Sequence, residues 1–318
     1  MTVKEKILSA LENAEEKAVS GQTLARKLGV SRQAVWKGIK SLQEDGFLIT
    51  ASRNKGYILQ KAGDFLSAER VREQLPAELK PLEIQVFDVL DSTNTYAKKL
   101  AADATEKDAV IMARRQTAGK GRRGHSFYSP DKSGLYMSLL LKPREDFVDI
   151  SLYTVCAANA VCTAIETLCG KKPKIKWVND IFLEQKKICG ILTEATVNME
   201  FGAIDSVIIG VGVNIATADF PDEIAQTAGS IGGGISRSRL AAAITEGLYK
   251  ELSLPPREII LRYRQRSLVI GKEVSFVRNG ESFTAVATGI ADNGELEVRL
   301  QNGETLLLNS GEISVKLS

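Results

Sequence analysis

Residues 116–130 read Gln-Thr-Ala-Gly-Lys-Gly-Arg-Arg-Gly-His-Ser-Phe-Tyr-Ser-Pro, and the interpretation of this stretch decides the fold. Its Gly-Lys-Gly-Arg-Arg-Gly core satisfies the GxGxxG pattern of dinucleotide-binding turns. In those folds the glycine turn opens a helix whose N-terminus receives the pyrophosphate. Here the segment continues through Ser129-Pro130 into LYMSLLLK, which reads as a strand, so a Rossmann turn is rejected. The P-loop pattern GxxxxGK[ST] is absent as well. What remains is a loop joining two strands. From Ala109 to Pro130 there are five Lys/Arg and no acid. Gly119, Gly121 and Gly124 leave the backbone free to wrap a ligand and offer N–H groups to an anion. Arginines in a segment without acids point to a phosphate or carboxylate ligand, and a plain basic surface loop is the alternative.

Outward from this loop, strands and helices mix. PLEIQVFDVL, DAVIMARR and LYMSLLLK read as strands, with a helix from Ser92 to Ala102 between the first two. A long apolar helix follows from about Ile150 to Cys169, and KIKWV, KICGILTEATV and SVIIGVGVNI are further strands. These predict a mixed α/β domain around a central sheet over residues 82–267. It is preceded by a connector at 63–81 in which Pro76 and Pro81 act as breakers. Beyond residue 267 the pattern changes. Asn-Gly pairs at 279–280, 293–294 and 302–303 punctuate short alternating runs, the strongest short-range signal for hairpins. Residues 268–318 are therefore expected to form a small SH3-like β-barrel.

At the other end, residues 1–62 predict a winged helix-turn-helix. One amphipathic helix covers 3–18; a second runs from Gln22 to Leu28 with Ser20 as N-cap and Gly29 as stop. A third begins after Ser31 as RQAVWKGIKSLQED, with Ala34, Ile39 and Leu42 turned toward the first two. Gly38 inside it costs about 1 kcal/mol relative to alanine. FLITASRNKGYILQ then reads as a hairpin with a basic tip. Residues 1–60 hold ten Lys/Arg against six Asp/Glu, a balance of +4, whereas the rest of the chain holds 32 against 33. The positive excess thus lies where polyanion binding would place it. In that reading Ser31, Arg32, Gln33, Lys37 and Lys40 enter a major groove, and Arg53 and Lys55 of the wing touch phosphate or minor groove. Winged helices also serve as protein-interaction modules, so the fold alone leaves that alternative open.

Four further clusters accompany the basic loop. Asp91-Ser92-Thr93-Asn94 lies where a strand gives way to a helix, which suits ligand binding and also suits a simple cap. Lys176-Trp177-Val178-Asn179-Asp180 gathers a cation, an amide and a carboxylate between two strands, or is merely a polar turn. Lys187 opens an otherwise apolar strand, where burial is costly unless the ammonium meets an anion. The glycines of GVGVN at 210–214 allow a ligand to lie flat on a strand, with Asn214 available to bond a base or ribose.

Taken in order and spacing, DSTN, QTAGKGRRG, KWVND, KKICGIL, GVGVNI and the terminal GEIS resemble biotin–protein ligases. With the winged helix in front, essentially the whole chain resembles the bacterial family of bifunctional biotin ligases and biotin-operon repressors. The resemblance implies an α+β multidomain protein whose catalytic domain is related to class II aminoacyl-tRNA synthetases. It implies an enzyme that uses ATP and Mg²⁺ to turn biotin into biotinyl-5′-AMP and transfers biotin to a lysine of a biotin carboxyl carrier protein. The adenylate would also serve as corepressor, bound to a homodimer on operator DNA. Carried over by motif, Ser92, Thr93 and Gln116 would bond the biotin ureido ring, beside Asn94 and Gly119, with Lys120 and Gly121 adding backbone groups. Arg122 would order the loop and hold phosphate, and Lys187, next to Gly190, would reach the biotin carboxylate and α-phosphate. Lys176, Asn179 and Asp180 would serve nucleotide, Mg²⁺ and acceptor lysine, with Asn214 on the adenylate. No protein ligand is assigned to the Mg²⁺, which would be carried mainly by ATP phosphates. Two departures stand out. His125 replaces the usual Arg or Lys of the loop, and Val178 replaces the frequent proline of KWPND.

Composition sets the remaining bounds. A chain of 318 residues that is 44% hydrophobic and 25% charged is globular rather than disordered, and long enough for two or three domains. Its first residues, MTVKEKILSALENAEEK, read as a charged helix rather than a secretory signal. No apolar run is expected to span a bilayer, and the cytoplasm is the expected compartment. Cys156, Cys162, Cys169 and Cys189 lack metal-ligand spacing and read as small buried thiols. A lipoate- or octanoate-using enzyme of the same fold, and a regulator that senses biotin without catalysis, are the rivals to keep.

Overall fold

Strand β5 (Gly134–Leu141) is buried along its whole length, because it lies in the middle of a sheet covered on both faces. That sheet has seven strands in the order β3-β4-β5-β9-β8-β7-β6. Its members are β3 (Glu83–Leu90), β4 (Ala109–Gln116), β5, β6 (Lys174–Lys176), β7 (Asp180–Leu183), β8 (Lys186–Val197) and β9 (Ile204–Asn214). Only β3 and β4 pair in parallel, joined by the crossover helix α5 (Thr93–Ala102); the other neighbours are antiparallel. The computed structural model describes residues 3–12, 14, 18–44, 49–52, 56–59, 66–103, 107–143, 150–197, 203–278, 280–309 and 316–317.

Side-chain alternation divides the sheet into two faces. Leu135, Met137, Leu139 and Leu141 of β5 join the main core under helices α6 (Ile150–Cys169) and α8 (Arg237–Leu252). Leu140 turns the other way and meets Ala97 and Ala101 of α5, with Ile111 and Ile208. Ser138 shares that second face and is fully buried. Helix α6 corrects one expectation. It is long and apolar enough to cross a membrane, but 72% of that window is buried inside the protein, as a core helix is.

The segment expected to be a connector, 63–81, is partly core. Ser67 caps helix α4 (Ala68–Gln74), accepting from Arg70 N at 3.2 Å, and Leu66, Val71 and Leu75 are buried against the main cluster. Short length between a serine cap and Pro76 hid this helix from periodicity. The short α7 (Asp222–Ala225) follows β9, and α9 (Pro256–Arg266) follows α8. The SH3-like C-terminal part contains β10 (Glu273–Arg278), β11 (Glu281–Ile290), β12 (Leu296–Leu300), β13 (Thr305–Leu308) and β14 (Lys316–Leu317) in the order β13-β12-β11-β10-β14. Gly294 and Gly303 take positive φ in the turns, where Asn293 and Asn302 accept from the N–H two residues on. Asn279 and the GEIS motif at 311–314 lie outside the described residues. Residues 66–318 form one compact unit with a continuous core, so packing does not break at residue 267.

Residues 1–65 form the other unit. Helices α1 (Val3–Glu12), α2 (Gly21–Leu28) and α3 (Arg32–Glu44) enclose Ile7, Leu11, Leu24, Val35, Ile39 and Leu42. Among the described residues α1 ends at Glu12, short of the expected 18. Val35, not Ala34, supplies the inward position of α3. Ser20 and Ser31 cap as expected, accepting from Thr23 N at 3.0 Å and Ala34 N at 3.1 Å, and Gly29 ends α2 with φ 66°. Gly38 has a packing reason: a Cβ there would fall 2.5 Å from Ile7 Cδ1. Strands β1 (Ile49–Ser52) and β2 (Gly56–Leu59) pair antiparallel, and Val19 bonds Tyr57 on the outer side, which completes a winged helix.

Candidate functional site

The α5 face of the sheet is open over β8 and β9, because Gly190, Gly210 and Gly212 line it there. The loop between β4 and β5 covers this floor. Expected as a loop joining two strands, it is built as a hairpin: Phe127 N donates to Gly119 O at 2.8 Å, Lys120 bridges Ser126, and Gly121 N donates to His125 O at 2.7 Å. No helix follows it, as the rejection of a dinucleotide turn requires. Phe127 rests on the floor, where a Cβ on Gly212 would fall 2.5 Å from its ring. Gly119 is equally constrained, since a Cβ would meet Phe127 O at 2.5 Å and Ser129 Oγ at 2.7 Å.

At the α5 end the cavity wall is polar and uncharged. Gln116 Oε1 accepts from Thr93 N at 2.8 Å, and Gln116 Nε2 donates to Ser129 Oγ at 2.9 Å. Ser138 Oγ lies 2.7 Å from Thr93 Oγ1 and 2.6 Å from Asn94 Oδ1. Ser92 is the N-cap residue of α5 but makes no capping bond, so the plain cap reading of its hydroxyl is not realised. The opposite end is ionic. Lys187 Nζ and Asp180 Oδ1 are 2.6 Å apart, both side chains partly exposed. The carboxylate answers the question of how a lysine enters this strand. Arg122 Nη1 donates to Asn179 Oδ1 at 3.2 Å, and Asn179 Nδ2 donates to Ile191 O at 2.9 Å. Burial, and then the neighbouring Arg123 charge, push the Arg122 guanidinium below its ordinary pKa, while Asp180 partly opposes them. Asp180 is the single carboxylate among the described residues lining the cavity, and a carboxylate or phosphate ligand would relieve the crowded cations.

Ser92, Thr93, Asn94, Gln116, Lys120, Gly121, Arg122, Asn179, Asp180, Lys187 and Gly190 thus line one cavity. Gly119 lies just behind it in the hairpin. Two expected residues are elsewhere. Lys176 stacks its ammonium 5.9 Å from the Phe182 ring centroid and does not line the cavity. Asn214 donates to Gly229 O at 3.0 Å at the end of β9. Phe127, Ser129, Ser138 and Glu194 were missed. Ser138 is the only hydrogen-bonding side chain other than Tyr136 in Gly134–Leu141, and Glu194 is the only acid in β8, which are the signals that existed. In the winged helix, Ser31, Arg32, Gln33, Lys37 and Lys40 are exposed together. Trp36 joins them, 53% exposed, with Lys40 Nζ 5.6 Å from its ring. Arg53 and Lys55 lie outside the described residues.

A sheet-floored cavity with an amide–hydroxyl end and a cationic end belongs to a class of ligase. Residues 86–214 match the Biotin/lipoate A/B protein ligase family, residues 3–58 an HTH domain, and residues 269–316 the Biotin protein ligase C terminal domain. The chain is 34% identical over 312 residues to Bifunctional ligase/repressor BirA of Bacillus subtilis (strain 168), covering 95% of each. It is 28% identical over 323 residues to the protein of that name from Escherichia coli (strain K12), covering 99% of this chain and 98% of that one. The chain belongs to the family of bifunctional ligase/repressors. A solved biotin protein ligase from Aquifex aeolicus, in complex with biotin and ATP, is similar with a TM-score of 0.63 at 25% identity, covering 74% of this chain and 99% of that one.

Proposed function

We propose that this protein joins biotin to a lysine of a biotin carboxyl carrier protein at the expense of ATP, and represses transcription through its winged helix with biotinyl-5′-AMP as corepressor. One observation carries the reading: a single cavity has neutral hydrogen-bonding groups at one end and Lys187, Arg122 and Asp180 at the other. A ureido ring needs the first, and a carboxylate meeting a triphosphate needs the second. Ser92, Thr93 and Gln116 bind the ring, with Asn94 beside them and Gly190 and Gly212 as the floor beneath it. Gly119, Lys120 and Gly121 give the hairpin its shape.

Two anions about 4 Å apart repel by about 4 kcal/mol at a surface-like effective dielectric. Lys187 and Arg122 offset this by placing positive charge where it grows on the transferring oxygens. Lys187 then exchanges Asp180 for the substrate anion. Magnesium fits here as a cation carried by the nucleotide, beside Asp180, the carboxylate that lines the cavity. When bound it supplies further charge neutralisation. The biotin carboxylate oxygen bonds the α-phosphorus and pyrophosphate leaves. The hairpin at 119–127 keeps water from the resulting anhydride. The acceptor amine then attacks the acyl carbon, AMP departs with the C–O electron pair, and Asp180, released from Lys187, takes the amine proton. Lys176 and Asn214, neither of which lines the cavity, are assigned to acceptor docking and nucleotide support.

Lipoate is the rival substrate. A dithiolane ring offers no N–H, and unpaired polar groups around it would be penalised. Incubation with ATP, magnesium and either biotin or lipoate, followed by mass spectrometry, tests the choice. Biotinyl-adenylate is expected, and lipoyl-adenylate alone would overturn the assignment. The exposed Arg32, Gln33, Lys37 and Lys40 face supports operator binding by an adenylate-loaded homodimer.

A further inference from the structure

Glu194 takes part in none of the steps above and does not line that cavity, yet it is bonded to Asn94, which does. One carboxylate oxygen lies 2.7 Å from Lys98 Nζ, and the other accepts from Asn94 Nδ2 at 2.9 Å. Burial raises its pKa, but hydrogen bonds from Lys98 and Asn94 and the Lys98 and Lys120 charges bring it below the ordinary carboxylate value. Glu194 is therefore ionised at neutral pH and can only accept.

That property propagates. An acceptor at Glu194 requires the NH₂ end of Asn94 to face it, and the second N–H points at Leu192 O, 3.3 Å away. Asn94 Oδ1 is then turned to Ser138, 2.6 Å distant, and takes its single hydroxyl proton. Ser138 Oγ and Thr93 Oγ1, 2.7 Å apart, still need a proton between them, which Thr93 must give. Gln116 Oε1 competes for it from 3.1 Å, but is already bonded by Thr93 N at 2.8 Å. Thr93 Oγ1 thus has only lone pairs left for a ligand. Gly210 makes room for this arrangement, since a Cβ there would fall 2.2 Å from Asn94 Oδ1.

We infer that Glu194, held by Lys98, is a positioning residue for substrate recognition: it sets the direction of the chain Glu194–Asn94–Ser138–Thr93 so that Thr93 accepts from a ring N–H. The ligand class is a cyclic urea or other N–H donor ring. The inference rests on the ligase reading above and says how its ring site is polarised.

Glu194→Gln is nearly isosteric, and it reverses the signal. Lys98, a pure donor, draws the new amide oxygen and leaves the NH₂ group against Asn94. Biotin Kd by calorimetry and KM for biotin are expected to rise about tenfold or more, with kcat and KM for ATP within about twofold. Ser138→Ala should show the same split. The double variant Lys98→Met/Glu194→Gln frees the amide to turn its oxygen to Asn94, and should recover most of the lost affinity. Unchanged biotin Kd in Glu194→Gln, a parallel fall of kcat, or no recovery in the double variant would each overturn the inference while wild-type adenylation left the ligase reading intact. Wild-type protein that forms no adenylate from biotin would remove the reading itself, and the inference with it.

Discussion

Lys187 and Asp180 form a contact of 2.6 Å in which both side chains keep access to water. Pairs of this exposure contribute about 0–1 kcal/mol to folding, so on the proposed reading the pair serves chemistry rather than stability. Lys187→Ala should therefore cut adenylate formation by about a hundredfold or more while moving Tm by no more than about 2 °C. A large fall in Tm would give Lys187 a structural role instead. Cys162 and Cys189 lie at the opposite extreme. Burial pushes the Cys162 thiol up to about 12, with Arg266 partly opposing, and raises that of Cys189 further from its ordinary value. Both stay protonated in the fold while unfolded thiols ionise above about pH 8.5, so they reduce stability as pH rises past that value. Iodoacetamide at pH 8 should leave both unmodified in the native protein and label both in denaturant. Labelling of either in the folded state would contradict their burial. Lys187 and the loop arginines were legible in the sequence because charge in an apolar or glycine-rich setting is anomalous. Ser138 and Glu194 were not, because each is ordinary in a strand until register places it against Asn94.

Elements hold these residues through a few specific contacts. The turn at 176–180 is fixed from below, where Tyr263 of α9 donates to Val178 O at 2.8 Å, and from the C-terminal part, where Trp177 Nε1 donates to Gly294 O at 3.0 Å. Trp177→Phe keeps the packing but leaves a buried carbonyl unpaired. It should cost about 1–2 kcal/mol and lower Tm by about 2–8 °C. An unchanged Tm would show that the bond contributes nothing. The hairpin at 119–127 depends likewise on Gly212, so Gly212→Val should displace Phe127 and weaken adenylation with little loss of fold. The Asn-Gly turns of the C-terminal strands and the caps of α2 and α3 were readable because local chemistry determines them. Helix α4 was not, since its docking of Leu66, Val71 and Leu75 is a tertiary effect. The same is true of Lys176 and Asn214: their motifs were legible, but strand pairing turned the first away from the cavity and tied the second to Gly229.

At the scale of the whole molecule, an enzyme unit and a winged helix share one chain. On the proposed corepressor reading, operator affinity is expected to be higher with biotinyl-5′-AMP than without it, because an adenylate-loaded dimer would present two reading helices at once. Lys37→Ala should reduce the salt dependence of binding by about one unit of slope if that lysine neutralises a phosphate. Equal affinity with and without the adenylate would remove the corepressor from the account. The measurement that bears most directly on the central claim is pyrophosphate release by the purified chain given magnesium, ATP and biotin. Release that requires biotin, accompanied by biotinyl-5′-AMP and lost in Lys187→Ala, is the expected result. No release from the folded wild-type protein, or release unaffected by Lys187→Ala, would contradict the assignment of this cavity.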